Sequence, residues 1–232
     1  MKLLLIGHGR MGRLVEELAP QYDCEVASIV TATSSLEALA PDGKPETKID
    51  VAIDFSTAAA VPVNFPILAR RGVSVVIGTT GWQHREMEVR VEAERAEVGV
   101  LASANFSLGM HVFRLLVEEA ARKFAPLAET GAWIHEQHHA AKKDAPSGTA
   151  LMLHAAMQAA GYKRPIDLSS TRAGWIPGTH VVGFDGLADS VTLTHEVRDR
   201  AVFAHGALQA ARWLRGRRGW FTMKDLVQQG VR

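Results

Sequence analysis

Four apolar residues, Leu3 to Ile6, run straight into the glycine-rich turn Gly7-His8-Gly9-Arg10-Met11-Gly12, and this junction restricts the fold more than any other stretch of the chain. A continuous apolar run that stops at glycine is the signature of a strand buried on both faces. A helical pattern follows at once from Arg10 to Leu18, with Met11, Leu14, Val15 and Leu18 on one face. Further strands are predicted at Val26–Val30, Val51–Phe55, Val73–Ile77 and Val98–Ala102, with helical segments near 57–70 and 83–96 between the later ones. Strands that alternate with helices in this way imply a doubly wound, parallel sheet of the Rossmann type.

The rhythm changes after Asn105. A long helix over Leu108–Phe124 is closed by Pro126, then come a strand-like Ala132–Ile134, a polar loop and a helix over Ser147–Ala160 ended by Gly161. Strands near 168–172, 179–185 and 190–197 follow with no helix between them, which implies a mixed or antiparallel sheet. The expected fold class is therefore α/β, a Rossmann-type domain followed by a second, α+β domain. The expected division is 1–106 for the first domain, rejoined by the segment 207–232, and 107–206 for the second. A last helix, Phe203–Leu214, and the tail Trp220–Gln229 are expected to return to the first domain.

Composition narrows the class of function. At 232 residues the chain can build one large or two modest cores. Its 26 Lys and Arg nearly balance its 25 Asp and Glu, so no overall field draws it to nucleic acid or to an anionic membrane. The local cluster Arg212, Arg215, Arg217 and Arg218 lacks the aromatic platform of a nucleic-acid surface and reads as a solvated helix end. A single cysteine, Cys24, forms no intrachain disulfide and fits a reducing, cytoplasmic setting. The opening Met-Lys-Leu-Leu-Leu-Ile breaks at Gly7, too early for a signal peptide, and is expected to be a buried strand.

The opening turn fits G-x-G-x-x-G in the strand–turn–helix setting that gives the motif its meaning. Gly7 permits the tight turn, Gly9 lets the backbone approach a pyrophosphate, and Gly12 lets helix and strand pack closely. The helix start adds free N–H groups and a partial positive charge. Gly78-Thr79-Thr80-Gly81 and Ser103-Ala104-Asn105-Phe106 each follow an apolar strand, at the carboxyl ends where open α/β sheets bind ligands. Alone, each is a plain turn; together with the first they outline one crevice for a dinucleotide.

A second constellation is denser. Glu136-Gln137-His138-His139-Ala140-Ala141-Lys142-Lys143-Asp144-Ala145-Pro146-Ser147-Gly148-Thr149-Ala150 gathers histidines, a lysine and a helix start. Ser147, Gly148 and Thr149 would present unbonded amides and hydroxyls at a positive helix end, a ready carboxylate or phosphate site, although simple capping explains the tripeptide too. Lys142 adds a cation, and His138 a group that exchanges protons near neutral pH.

With Gly7-x-Gly9-Arg10-Met11-Gly12, Asp54-Phe55-Ser56, Gly78-Thr79-Thr80-Gly81, Asn105-Phe106-Ser107 and above all this fifteen-residue stretch, the chain resembles the 4-hydroxy-tetrahydrodipicolinate reductase family from Met1 to about Leu226, with a shortened region at 161–180. The resemblance implies NADH- or NADPH-dependent reduction of a cyclic imine dicarboxylate in lysine and diaminopimelate biosynthesis. It implies His138 as proton donor/acceptor and Lys142 as second proton donor. His139, Ser147, Gly148 and Thr149 become substrate contacts. Gly7, His8, Gly9, Arg10, Met11, Gly12, Thr31, Gly78, Thr79, Thr80, Ser103, Ala104, Asn105 and Phe106 become cofactor contacts. It also implies a homotetramer built through the second domain's sheet, and no metal.

Two other readings compete. His135-Glu136-x-x-His139 satisfies the H-E-x-x-H signature of zinc hydrolases, which requires a helix to bring both histidines to one face. A strand would instead separate them by about 13 Å. A non-catalytic NAD(P)-binding redox sensor would need the glycine turn but neither His138 nor Lys142. For the cofactor, the second strand ends Val30-Thr31-Ala32-Thr33-Ser34-Ser35 without the acid that favours NAD, while Asp23 and Glu25 come too early. Thr31, Thr33 and the serines can donate to a 2′-phosphate, yet no arginine stands beside them. Both cofactors are expected, with a modest lean to NADPH.

Overall fold

The computed structural model describes residues 1–34, 36 and 48–230. The chain divides into two compact units, Met1–Leu108 with the segment from Ala201 onward, and Gly109–Arg200. The expected boundary at 207 falls inside a helix that begins at Ala201 and belongs to the first unit along its whole length.

The first unit is a six-stranded parallel sheet. Its strands are β1 (Lys2–Ile6), β2 (Glu25–Val30), β3 (Val51–Asp54), β4 (Ser74–Ile77), β5 (Gly99–Ala102) and β10 (Gly219–Phe221), in the order β10-β5-β4-β3-β1-β2. The chain winds from β1 to β2 on one side, then crosses to β3 on the other, so the order reverses at β1. Each strand alternates between two cores. Leu3 and Leu5 face one side with α1 (Arg10–Leu18), α6 (Ala201–Leu214) and α7 (Met223–Gln229). Leu4 and Ile6 face the other with α2 (Val61–Arg70) and α3 (Glu86–Arg95). Burial on both faces is why these strands read as unbroken apolar runs. At Gly206 on α6, an ideal Cβ would lie 1.7 Å from the carbonyl oxygen of Phe106, so only glycine lets the returning helix seat there.

The second unit has a four-stranded mixed sheet of β6 (Gly131–His138), β7 (Ile166–Arg172), β8 (Thr179–Asp185) and β9 (Ser190–Glu196), ordered β7-β6-β8-β9. β6 pairs parallel with β7 and antiparallel with β8. Helices α4 (Leu108–Phe124) and α5 (Gly148–Ala159) cover one face, where Ala132, Ile134, Val182 and Phe184 meet Met110, Phe113, Val117, Leu153 and Met157. The period of two along β6 therefore sends Ala132, Ile134, Glu136 and His138 toward the helices, and Trp133, His135 and Gln137 to the outer face. The strand runs four residues beyond the expected Ile134, because its polar inner residues find partners on β7.

Candidate active site

In the first unit, the ends of β1, β2 and β3 frame a cleft of about 500 Å³ lined by Gly7, His8, Gly9, Thr31, Ser34, Ser56 and Asn64 among others. A neighbouring cleft of about 340 Å³ joins Gly9, Arg10 and Met11 to Phe55, Ser56, Gly78, Thr79 and Thr80. Both lie at the point where the strand order reverses, the ligand position of open α/β sheets. Gly7 sits at φ +90°, and a Cβ there would strike the Phe55 carbonyl oxygen at 2.4 Å. Gly12 is a packing glycine, with an ideal Cβ 2.2 Å from the Gly7 oxygen. Gly9 caps α1 with no side-chain bond, and an ideal Cβ on it meets nothing within 4 Å. The helix start thus opens into empty space, which fits a pyrophosphate.

Asp54 holds the crevice together from beneath. Its buried carboxylate accepts from the Ser56 amide at 2.8 Å, the Ser56 hydroxyl at 2.6 Å and the Thr79 hydroxyl at 2.8 Å. Burial raises its pKa, opposed by those three bonds. After β5, the Ser103 hydroxyl donates to the Asn105 carbonyl at 2.6 Å, and the Ser107 amide to Asn105 Oδ1 at 2.8 Å. Phe106 is 2% exposed and packs edge-on against Phe55, with ring centroids 6.0 Å apart. It braces the turn from within the core. Thr31 meets Thr33 Oγ1 at 3.0 Å and Ser34 Oγ at 3.1 Å, while Ser35 lies outside the described residues.

The second unit carries the proton-exchanging groups. His138 closes β6 with its Nδ1 against Oε2 of Glu136, a residue with no exposure. Arg172, at the end of β7, donates from Nη2 to Glu136 Oε1 at 2.6 Å and from Nη1 to Oε2 at 3.0 Å. Burial pushes the Glu136 carboxyl up, but hydrogen bonds from Arg172, Ser170 and His138 outweigh it and bring its pKa to about 2. An ionised carboxylate only accepts, so His138 Nδ1 carries the hydrogen. Nε2 then faces Gly178, where an ideal Cβ would stand 3.2 Å away. Burial lowers the pKa of His138, while Glu136 works against that fall.

The loop after β6 forms a carboxylate cradle. Lys142 Nζ donates to both oxygens of Asp144 at 2.7 and 2.9 Å, and the Gly148 amide bonds the same carboxylate. The Lys142 bond holds the Asp144 pKa below its ordinary value. An ideal Cβ on Gly148 meets nothing within 4 Å. Ser147 is placed differently from a free ligand contact. It is 2% exposed, its amide donates to Glu136 Oε1 at 3.2 Å, and its Oγ accepts from the Ala150 amide and meets His180 Nε2 at 3.2 Å. Its side chain caps α5. His139 Nε2 lies 3.4 Å from Arg200 Nη2.

Glu136, Arg172, His180 and Asp54 carry structural weight that sequence reasoning did not assign to them. Among the described residues, ligand atoms of Glu136, His138 and His180 come within 4.8 Å of one another. Both oxygens of Glu136 are already engaged by the half-buried guanidinium of Arg172, so a cation would have to displace it. The H-E-x-x-H reading fails on geometry. The segment is a strand, His135 points to the outer face where Nδ1 meets Ser169 Oγ at 2.8 Å, and Glu136 points inward. A wider outer-face cleft of about 630 Å³ is lined by Trp133, His135, Ser169 and Val181, away from His138.

Fold and crevice together define a Rossmann-type nucleotide-binding protein with an appended α+β unit. Known proteins make this more specific. Residues 1–106 match the family model described as dihydrodipicolinate reductase, N-terminus, and residues 109–227 match the one described as dihydrodipicolinate reductase, C-terminus. The chain is 39% identical to the 4-hydroxy-tetrahydrodipicolinate reductase of Stenotrophomonas maltophilia, covering 98% of both chains. It is 37% identical to the enzyme of the same name from Caldanaerobacter subterraneus, covering 99% of both. In fold it is similar to a dipicolinate-bound dihydrodipicolinate reductase from Paenisporosarcina sp., with TM-score 0.80, 19% identity and coverage of 97% of this chain and 99% of that one. This chain belongs to the dihydrodipicolinate reductase family.

Proposed function

We infer that the chain is a 4-hydroxy-tetrahydrodipicolinate reductase, converting that cyclic imine dicarboxylate precursor to tetrahydrodipicolinate on the diaminopimelate and lysine branch. The observation that carries the substrate class is the cradle after β6. Lys142 Nζ and the Gly148 amide already hold a carboxylate, that of Asp144, one strand-end away from a histidine able to exchange a proton. A substrate carboxylate can take the same donors. Gly148 and Thr149 supply helix-start amides, and Arg200, whose Nη2 lies 3.4 Å from His139 Nε2, supplies a further positive charge.

The nicotinamide cofactor, when bound, supplies a hydride. Gly7 to Gly12, Thr31, the 78–80 turn and the 103–105 turn would hold it, with Phe106 acting from the core side. His138, when doubly protonated, delivers its Nε2 proton to the reduced substrate and is left as the neutral Nδ1–H ring, and Lys142 steers a carboxylate and serves as a second donor. We extend the reading to a homotetramer formed through the outer face of the second sheet, supported by the family resemblance and by Trp133 and Val181 on that face. Among the described residues no helix is long and apolar enough to cross a membrane, and with the single cysteine this supports a cytoplasmic setting.

A coupled assay with the preceding synthase, following loss of reduced nicotinamide at the cofactor's absorbance, tests the reaction. Turnover that depends on the synthase product is expected. His138→Gln and Lys142→Ala should each lower kcat by about 10²–10⁴-fold. No turnover with cofactor binding intact overturns the enzyme reading, and near-native kcat in both variants overturns the residue assignment.

A further inference from the structure

The Glu136 side chain links three parts of the second unit's site: His138, the start of α5 and Arg172 at the end of β7. Its own strand presents His138. Through Oε1 it accepts from the Ser147 amide at 3.2 Å and so fixes the start of α5. Through both oxygens it pairs with Arg172, whose Nη2 also donates at 2.6 Å to the backbone carbonyl of Asp144, inside the carboxylate cradle. The pairing follows from register, because β6 and β7 run parallel with His138 opposite Arg172 and Glu136 opposite Ser170. Withdrawing a fully buried carboxylate and a half-buried guanidinium from water often stabilises a fold no better than apolar side chains of equal volume would. Stability alone therefore does not account for the pair.

We propose that Glu136 and Arg172 form a positioning pair for His138. Glu136 locks the ring with Nδ1–H inward and Nε2 on the Gly178 side, while Arg172 offsets the carboxylate so that the imidazolium can release its Nε2 proton and return to the neutral Nδ1–H ring. The proposal rests on His138 being the proton donor. A buried carboxylate alone beside an imidazole would hold it as imidazolium; a half-buried arginine paired with the same carboxylate offsets that pull. The groups facing His138 are Glu136 on its own strand, Arg172 on β7, His180 on β8 with ring centroids 5.2 Å apart, and Lys142 on the following loop. Of these, Glu136 raises the proton affinity of His138, and Lys142 and Arg172 lower it. Gly178, on the remaining side, has no side chain to add.

This pair has a signature that a purely structural salt bridge lacks, since its two halves act with opposite sign. A proton donor gives kcat a basic limb at its own pKa. Glu136→Gln should move that limb down by about one pH unit and lower kcat about 10²-fold, with KM changed far less. Arg172→Met should move the limb up by a similar amount. Arg172→Lys, which keeps the charge without the fork, should leave the limb in place. Nitrogen-15 NMR of the histidines in the free wild-type protein should show His138 as the Nδ1–H tautomer, and a mixed tautomer in Glu136→Gln. Limbs that shift the same way in Glu136→Gln and Arg172→Met, or a wild-type His138 in the Nε2–H tautomer, overturn the proposal. The tautomer measurement needs no substrate and no variant that folds. It separates failure of the pair from failure of the reductase reading, which shows instead as no wild-type turnover.

Discussion

Lowering the pH from 7 to 5 should weaken the second unit by about 2 kcal/mol through His180 alone. His180 lies on β8 and is 3% exposed. Burial, then the nearby His138, His195 and Lys142, bring its pKa from 6.5 to about 4, with Glu136 acting the other way. In the unfolded chain it titrates near its ordinary value, about 6.5. Between those two values the unfolded state binds a proton that the native state refuses. Stability is therefore complete above the unfolded pKa and drains away as pH falls toward the folded one. The gap of about 2.5 pH units is worth about 3 kcal/mol in full and about 2 kcal/mol by pH 5. Native-state hydrogen exchange at the Ile134 and Val182 amides, in the core beneath His180, reports this unit separately from the other. His138 and His195 are also held low by burial, so the informative quantity is a difference. His180→Gln, which keeps a polar group near Ser147, should flatten most of the pH dependence between 6.5 and 4.5. An identical slope in wild type and variant would refute the reasoning.

Gly148→Val should raise KM for the substrate at least tenfold with little change in cofactor affinity, because the space beside Gly148 is empty of protein and is proposed to receive the ligand; steady-state kinetics with an unchanged KM would leave the tripeptide as a helix start only. Thr31→Glu should swing cofactor choice toward NADH, since a carboxylate beside Thr33 and Ser34 would repel a 2′-phosphate. Comparing kcat/KM for the two cofactors checks it, and a wild-type preference for NADH beyond about 100-fold would show that other residues set the choice.

The first unit was legible because its strands are buried on both sides. Leu3 to Ile6 and Val75 to Ile77 read as uninterrupted apolar segments, and the glycine turn marked where the crevice would lie. Asp54 was quoted within a motif with Ser56, yet its hold on Thr79 depends on β3 and β4 lying side by side, which no local pattern states. In the second unit, His138, Lys142 and the start of α5 stood out as a dense run. Glu136 opened that run and stood in the H-E-x-x-H signature, but nothing local gave it Arg172 as a partner. A glutamate among polar residues reads as solvated, and its burial follows only when β7 brings Arg172 across from 36 residues away. For the same reason the strand was expected to end at Ile134. The period-two signal vanished where the inward residues turned from apolar to ionic. Ser147 shows the converse, since of the two readings left open for its tripeptide its hydroxyl takes the capping one, occupied with its own helix and with His180.

The return of α6, β10 and α7 to the first sheet has a consequence for how the polypeptide is made. β10 pairs with β5, and Ala204, Ala207, Leu208, Ala211, Leu214, Met223 and Leu226 complete one of the two cores that flank β1. During synthesis, β1 to β5 leave the ribosome with only α1 on that side of the sheet, and the part that α6 covers over β3 to β5 stays bare while the whole of Gly109–Arg200 is added. The inserted unit, contiguous in sequence, can fold first, although it emerges second. The nascent nucleotide-binding sheet meanwhile exposes Ile53, Val76 and Leu101 as an open apolar surface. A chain arrested before residue 201 would keep all three in water, an aggregation-prone species that the completed molecule never presents.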